Sequence, residues 1–385
     1  MNAIRRLVRT KLLSPPAWRR KLGDIATDAK ERFHVRSIYS RNNGIAPPVI
    51  TCYFDVTNLC NLRCEMCYLR DVLNRRTKAG ALTNEEFMHF VERDGVKRVN
   101  LIGGEPFLRK DLPELLAEFE RRKIICETIT TNGTLITEER AAQLARLVSL
   151  GLLNSITFSI DGPGRIHDRV RGPGIFAKAA DGVQILREHL LRAGQGAENR
   201  LVLNSVICAE NYEYVDNVAD VARRLGVKNI CLCHLMYATP EEVAETNEIL
   251  HNDDPSIFQM YICEDPGIDI KVLRNTLHHF RRKVSEYRIN AMTRPNVPDE
   301  TIEQIYSPGY SPLRPGCMQP FFLSRVGTSG EVYYCTFIRK AMGDLRERPL
   351  ADIWNCEQFV AHRRMMVQRG IFPICKRCCK MYLRG

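Results

Sequence analysis

Fifteen cysteines are spread over 385 residues, and two groups of them are spaced for chemistry. The first is Cys60-Asn-Leu-Arg-Cys64-Glu-Met-Cys67. Random placement of the cysteines would give this three-thiol spacing with a probability of about 0.02, so the run calls for a reason. Zinc sites take four ligands, commonly as spaced pairs. Three thiolates on one short loop suit a 4Fe–4S cluster with one iron left open to another ligand. The second group is Cys317, Cys335 and the pair Cys375-Lys-Arg-Cys378. These supply four soft ligands, for zinc or for an iron–sulfur cluster. With only structural zinc, the chain would be a zinc-stabilised interaction protein and no enzyme.

The chain carries no run of about 18 uncharged apolar residues, so a membrane-spanning helix is not expected. The N-terminus shows no apolar stretch with a small-residue cleavage site, which places the protein in the cytoplasm and its thiols in a reducing compartment. The net charge of +11 is concentrated at the start, since residues 1–41 hold 11 Lys/Arg against 3 Asp/Glu. Ile4, Leu7, Val8 and Leu12 share a helical face beside Arg5, Arg6 and Arg9. After Pro15-Pro16, Trp18, Leu22, Ile25, Ala29 and Phe33 form a second stripe. Residues 1–48 thus read as a basic amphipathic helical segment that packs on the domain behind it. Peripheral contact with an anionic membrane face is the second reading, and nucleic acid the last, because no reader motif accompanies the charge.

The elements that must position the thiols begin near residue 49. Strand signals at Val49–Val56, Arg98–Ile102, Ile124–Thr130, Leu153–Ile160, Leu201–Ile207 and Asn229–Leu235 alternate with helical ones. The helices are expected at Asn84–Arg93, Leu112–Arg122, Glu138–Leu147, Phe176–Leu190 and Tyr212–Arg223, with Thr83 and Glu86 as a capping box. Such alternation implies parallel βαβ units, as an open doubly wound sheet or a partial barrel. Residues 236–316 lose the rhythm and read as a helical connector or substrate cover, with a helix at Val272–Tyr287. Residues 317–385 form a Cys-rich extension with one helix near Leu350–Met366. Cys52, Cys126, Cys208, Cys231, Cys233 and Cys263 read as small buried hydrophobes. Cys231 and Cys233 alternate and point to one face.

The first cysteine run resembles the CxxxCxxC loop of the radical S-adenosylmethionine (SAM) superfamily, which follows the first strand as it does here. Met66 stands where the family often has an aromatic residue. Gly103-Gly104-Glu105-Pro106 after the second strand matches the GGEP motif. Thr131-Asn132-Gly133 resembles the TNG turn after the third, and Ser159-Ile160-Asp161-Gly162 the SxDG segment after the fourth. All fall at C-terminal strand ends, the face where barrel enzymes place their sites. His167, Asp168, Arg171 and Gly172 fit the stretch that follows, read as an ion-paired loop before a helix. The resemblance implies an α/β fold, a partial (β/α)6 TIM-like barrel over residues 49–235, with Cys60, Cys64 and Cys67 on a 4Fe–4S cluster. It also implies SAM at Gly103, Gly104, Glu105, Asn132, Ser159 and Asp161. The family's glycines let the backbone approach a ligand, and its carboxylate accepts from the methionine ammonium.

The second thiol group resembles the SPASM/twitch extension, with Gly343-Asp344-Leu345, Leu350, Ile353 and Trp354 between the thiols. This implies a small Cys-rich α+β domain and a second, auxiliary 4Fe–4S cluster on Cys317, Cys335, Cys375 and Cys378, with Cys356 and Cys379 spare. The chain resembles the shortened, one-cluster form. The implied chemistry is reductive cleavage of SAM to a 5′-deoxyadenosyl radical that takes hydrogen from a substrate C–H bond. The electron comes from an external one-electron donor such as flavodoxin or ferredoxin. Four thiols on the auxiliary cluster leave no open iron, which favours electron uptake and a net oxidation: a dehydrogenation or bond formation. A peptide maturase or an epimerase is the alternative. The substrate is expected to be a small molecule, a sugar, a lipid-linked compound or a peptide. No acid–base residue is legible.

Overall fold

The computed structural model describes residues 43–49, 51–75, 80–295, 302–307, 309–312, 315–317, 319–380 and 382–383. The expected helical stripes from Ile4 to Phe33 lie outside the described residues. The core is a ten-stranded sheet. Its strands in chain order are β1 (Thr51–Thr57), β2 (Arg98–Gly103), β3 (Ile125–Thr131), β4 (Leu153–Ser159), β5 (Leu201–Ile207), β6 (Asn229–His234), β7 (Asn290–Arg294), β8 (Leu323–Val326), β9 (Glu331–Tyr333) and β10 (Ala341–Asp344). In space they run β10-β9-β8-β1-β2-β3-β4-β5-β6-β7. From β8 to β7 every neighbouring pair is parallel, and β9 and β10 turn back antiparallel at one edge. This is the α/β partial barrel, left open between β7 and the β8 side.

The helices of the wall follow the strands: α1 (Asn84–Arg93), α2 (Leu112–Arg122), α3 (Glu138–Ser149), α4 (Gly164–Arg171), α5 (Ile175–Arg192) and α6 (Asn217–Leu225). Beyond the barrel come α7 (Pro240–Leu250), α8 (Ile270–Glu286) and α9 (Glu357–Arg369). Thr83 and Glu86 form the capping box of α1: the Glu86 N–H donates to Thr83 Oγ1 at 3.1 Å, and the Thr83 N–H donates to Glu86 Oε2 at 2.9 Å. Side chains alternate across β1, as strand geometry requires. Cys52, Phe54 and Val56 are buried on the helix side, where Phe54 meets Phe87 at 4.2 Å. Tyr53, Asp55 and Thr57 take the opposite face and line a polar lumen, continued by Thr128 and Thr157, whose hydroxyls lie 3.1 Å apart.

The six expected strands form the centre of the sheet. β7 and β8 flank them and were not anticipated; each is short and poor in β-branched residues, which leaves little signal. The helix expected at Tyr212–Arg223 starts only at Asn217, after a single 3₁₀ turn at Tyr212–Tyr214. The one expected at Leu350–Met366 is two helices, Leu350–Trp354 and α9. Asn355 breaks it, because its amide exchanges hydrogen bonds with the backbone of Ala46. Cys52, Cys126 and Cys208 are buried as expected, whereas Cys231, Cys233 and Cys263 are half-buried. Cys231 and Cys233 face the lumen, so the apolar packing that covers the outer strand face does not enclose them.

Two glycines let β2 exit against β1. A Cβ on Gly103 would sit 2.4 Å from Thr57 O, and one on Gly104 2.1 Å from Leu59 O. The contact is with backbone, which cannot swing aside. Gly104→Ala is expected to cost about 1–3 kcal/mol through overpacking. Thermal unfolding checks this, and an unchanged midpoint would refute it.

Candidate active site

The Cys60–Cys67 loop leaves the C-terminal end of β1 and is fastened at both ends. The Cys60 N–H donates to Asn74 Oδ1 at 2.9 Å, and the Asn74 N–H returns to Asn58 O at 2.9 Å. The Gly104 N–H donates to Thr57 O at 2.8 Å, and the Glu105 N–H to Leu59 O at 2.7 Å. Here the glycines serve the close approach of two strand ends, which sets the floor of the thiol loop. Burial pushes the Cys60 thiol up to about 11 and raises those of Cys64 and Cys67, so binding iron must displace protons.

Glu105 is fully buried. Its Oε1 accepts from Thr131 Oγ1 at 2.7 Å and from the Phe107 N–H at 3.2 Å, and its Oε2 accepts from the Asn132 N–H at 2.7 Å. The carboxylate therefore staples the turn after β2 to the turn after β3. Burial raises its pKa. Asn132 donates from Nδ2 to Asn61 Oδ1 at 2.9 Å, and Asn61 donates to Thr134 Oγ1 at 2.9 Å. Asn61 ties the thiol loop to the third strand end. Sequence reasoning missed it; its place between two cysteines was the available signal.

Asp161 is buried after β4. Its Oδ1 accepts from the Val206 N–H at 2.8 Å, and Arg171 Nε donates to its Oδ2 at 2.5 Å. The same guanidinium donates to Cys64 Sγ at 3.7 Å, which brings a cation to the thiol loop. His167, Asp168 and Arg171 lie on α4 rather than on a loop, because the helix begins directly after the Gly162–Pro163 bend. Buried His167 accepts the Asp161 N–H at Nδ1, and burial pulls its pKa down to about 4. Ser159 is half-buried at the end of β4, and its hydroxyl makes no hydrogen bond among the described residues.

Cys317, Cys335, Cys375 and Cys378 line one cavity whose other walls are mostly apolar, including Phe337, Ile338, Met366 and Phe372. Four thiols in an apolar cradle fit a fully thiolate-ligated cluster. Burial pushes Cys317 up to about 12. The CxxC turn is locked by Arg377, which is fully buried and donates to Glu242 Oε1 at 2.8 Å and Oε2 at 2.7 Å and to Ile305 O at 2.7 Å. Cys379 lines a second cavity with Lys380 and Arg294, and its thiol also shares a hydrogen bond with that of Cys378. Cys356 caps α9 and lies outside the four-thiol cavity.

The two thiol regions meet over the lumen. Tyr68, next to Cys67, stacks edge-on against Phe337 at 5.3 Å, and the Phe337 N–H donates to Cys335 Sγ at 3.3 Å. Arg325 of β8 donates to both Asp55 oxygens, at 3.1 and 2.5 Å, and to Tyr68 Oη at 3.2 Å. Arg339 reaches the same carboxylate at 2.7 Å.

A family model for the radical SAM superfamily matches residues 54–202, and one for an iron–sulfur cluster-binding SPASM domain matches residues 317–379. The chain is a radical SAM protein with a C-terminal SPASM domain. Its cofactors are SAM with a 4Fe–4S cluster, and auxiliary iron–sulfur chemistry in the SPASM domain. An AdoMet-dependent heme synthase of Methanosarcina barkeri is 28% identical over 344 residues, spanning 86% of this chain and 89% of the relative. An Fe-coproporphyrin III synthase of the same organism is 26% identical, spanning 80% of this chain and 73% of the relative. Streptococcus suis SuiB bound to SAM superposes with a TM-score of 0.59 at 16% identity, covering 98% of this chain and 81% of SuiB. SuiB is also solved with its precursor peptide SuiA, at a TM-score of 0.58 and 16% identity over 86% of this chain and 70% of SuiB. SuiB shares the fold of this radical SAM protein. No helix among its described residues is long and apolar enough to cross a membrane.

The Asp55 site yields a stability prediction. Burial alone would raise the Asp55 carboxyl, but Arg325 and Arg339 outweigh it and hold the value below the ordinary one. A folded value below the unfolded one gives stability that is present above the unfolded value of about 3.9. It is lost as pH falls through the folded value. Asp55→Asn leaves two buried guanidinium groups without their anion and is expected to cost about 3–5 kcal/mol at neutral pH. Denaturant unfolding of both proteins from pH 7 downward should show the gap closing in acid. A constant gap would contradict this account.

Proposed function

We propose that this radical SAM enzyme carries out a net oxidation of its substrate, a dehydrogenation or a bond formation, with one auxiliary cluster in the SPASM domain accepting the electron. The observation that carries the reading is the single cavity shared by Cys317, Cys335, Cys375 and Cys378. Four thiols would saturate the cluster and leave no iron for substrate, so electron transfer is the role that remains. When bound, SAM and its cluster supply the 5′-deoxyadenosyl radical that abstracts hydrogen from a substrate C–H bond.

Cys60, Cys64 and Cys67 hold that cluster, and Gly103, Gly104, Glu105, Asn132, Ser159 and Asp161 form the SAM site. Most of these residues work by placement. The carboxylates of Glu105 and Asp161 already accept hydrogen bonds from their own strand ends, so they order the turns that SAM meets. Ser159 keeps a free hydroxyl for the ligand. Arg171 sets a positive charge beside Cys64, which favours the thiolate that binds iron. Substrate lies in the lumen between the two thiol regions, beside the Tyr68–Phe337 contact.

Relatives named for heme and Fe-coproporphyrin III synthesis match 80% or more of this chain and support a small-molecule substrate. A peptide-modifying or epimerising enzyme is the second reading. It draws on the peptide complex of SuiB and on Cys231 and Cys233, whose sulfurs lie 3.8 Å apart and face the lumen, where a thiol can return hydrogen. The electron donor is a small one-electron carrier of the flavodoxin or ferredoxin kind in the cytoplasm. The basic charge of residues 1–41 supports peripheral contact with an anionic membrane face, which co-sedimentation with anionic vesicles tests.

Anaerobic reconstitution of the full chain should give about eight irons and eight sulfides. Cys335→Ser or Cys375→Ser should bring both to about four while leaving SAM binding intact. Cys379→Ser should keep about eight. If the unaltered chain holds only about four, the auxiliary cluster and the argument for oxidation fall together.

A further inference from the structure

The open seam of the barrel is a cavity of about 730 Å³, within the ~300–1,000 Å³ of small-molecule sites. Tyr53 of β1, the strand β7, helix α8 and the 379–380 turn enclose it. None of its described lining residues is Asp or Glu, while three are Arg281, Arg294 and Lys380. Arg294 and Lys380 make no ion pair with a carboxylate among the described residues. Arg294 donates from Nε to Met292 Sδ at 3.2 Å, and the Lys380 ammonium stands 5.9 Å from the Tyr53 ring centre. Both side chains are half-buried. Two cations withdrawn from bulk water without an anion are costly to keep. By contrast, Arg325 and Arg339 share Asp55, Arg171 has Asp161 and Arg377 has Glu242, while the fully buried Arg363 donates to backbone carbonyls and Asn355 Oδ1.

The seam opens onto the lumen. Arg294 stands in register with Cys233, and Met292 with Cys231, on the strand beside them. The field of the cations is felt there. A hydrogen bond from Cys233, together with Arg294 and Lys380, holds the Cys231 thiol down to about 7 against the effect of burial. The remaining lining mixes apolar Phe280, Val284, Ala291 and Met292 with polar Thr293 and Gln319, and Met292 is 51% exposed at the mouth.

We propose that this seam is an anion-binding subsite in which Arg294 and Lys380 hold a carboxylate or phosphate group of an amphipathic substrate, with its apolar body against Val284 and Met292 and its reacting end in the lumen. Arginine meets either anion with two parallel N–H donors and lysine adds a point charge. The proposal rests on the reading of the lumen as the substrate site.

The test uses the full, cluster-loaded chain and three probes with the same tail: octanoate, octyl phosphate and the neutral octyl glucoside. Calorimetric titration should show binding of one or both anions, weakening as salt is raised. Preference between them tells a carboxylate from a phosphate ligand. Arg294→Ala should weaken anion binding about tenfold, and Arg294→Lys should recover most of it. Lys380→Met should do the same as Arg294→Ala, with its iron count checked because Cys378 is near. Equal binding of octyl glucoside, or unchanged anion affinity in both variants at a normal iron count and unfolding midpoint, overturns the proposal. Iron, sulfide and substrate-free SAM cleavage are read on the same samples. Their loss would indict the reaction assigned above, whereas their persistence without anion binding would indict the subsite alone.

Discussion

Asp55 sits on the inner face of β1 and takes two guanidinium groups that the chain delivers from far downstream. Arg325 comes from β8 and Arg339 from the stretch after Cys335, so one carboxylate joins the barrel wall to the SPASM domain. A buried charge triad of this kind adds little net stability over an apolar core, but it tolerates almost no displacement. That intolerance is what the chemistry needs. Tyr68 and Phe337 face each other only while β1 and β8 keep their register, and through them the two thiol regions stay at a fixed separation.

A second constraint operates at the strand tops. Parallel strands end at one face, and several ends here are fastened to a neighbour by hydrogen bonds across the gap. Gly103 and Gly104 let the end of β2 touch that of β1, Glu105 fastens β2 to β3, Asn132 and Asn61 return to the thiol loop, and Asp161 fastens β4 to β5. The polar side chains that mark the site in the sequence are thus largely engaged with each other. A SAM site built in this way is rigid before ligand arrives, which lowers the entropic cost of binding.

Much of this was legible beforehand. Six strands and five of the six barrel wall helices, all but α4, follow from periodicity and from caps such as Thr83–Glu86, because local rules govern them. The thiol loop and the glycine-bearing turns were readable because the chemistry demands rare residues at close spacing. What was hidden depends on distant partners. Arg325 is an ordinary arginine in a short apolar stretch until Asp55 stands opposite it. Asn355 interrupts a good helical pattern only because Ala46 lies within reach of its amide. β7 carries almost no strand signal and pairs because β6 offers it an edge. Cys231 and Cys233 look like core residues in sequence, and only the topology turns them toward a polar lumen.

The span between Asp55 and Arg325 has a consequence for how the protein is made. The two are 270 residues apart. At the ~5–20 residues per second of synthesis, β1 waits about 15–50 s for its neighbour. Contacts of such long range also slow folding. Throughout that interval the inner face of β1 is exposed to water. Tyr53, Asp55 and Thr57 are content there, whereas an apolar row would invite association with other nascent chains. The polar lining that later surrounds a substrate is also what keeps the unfinished barrel soluble.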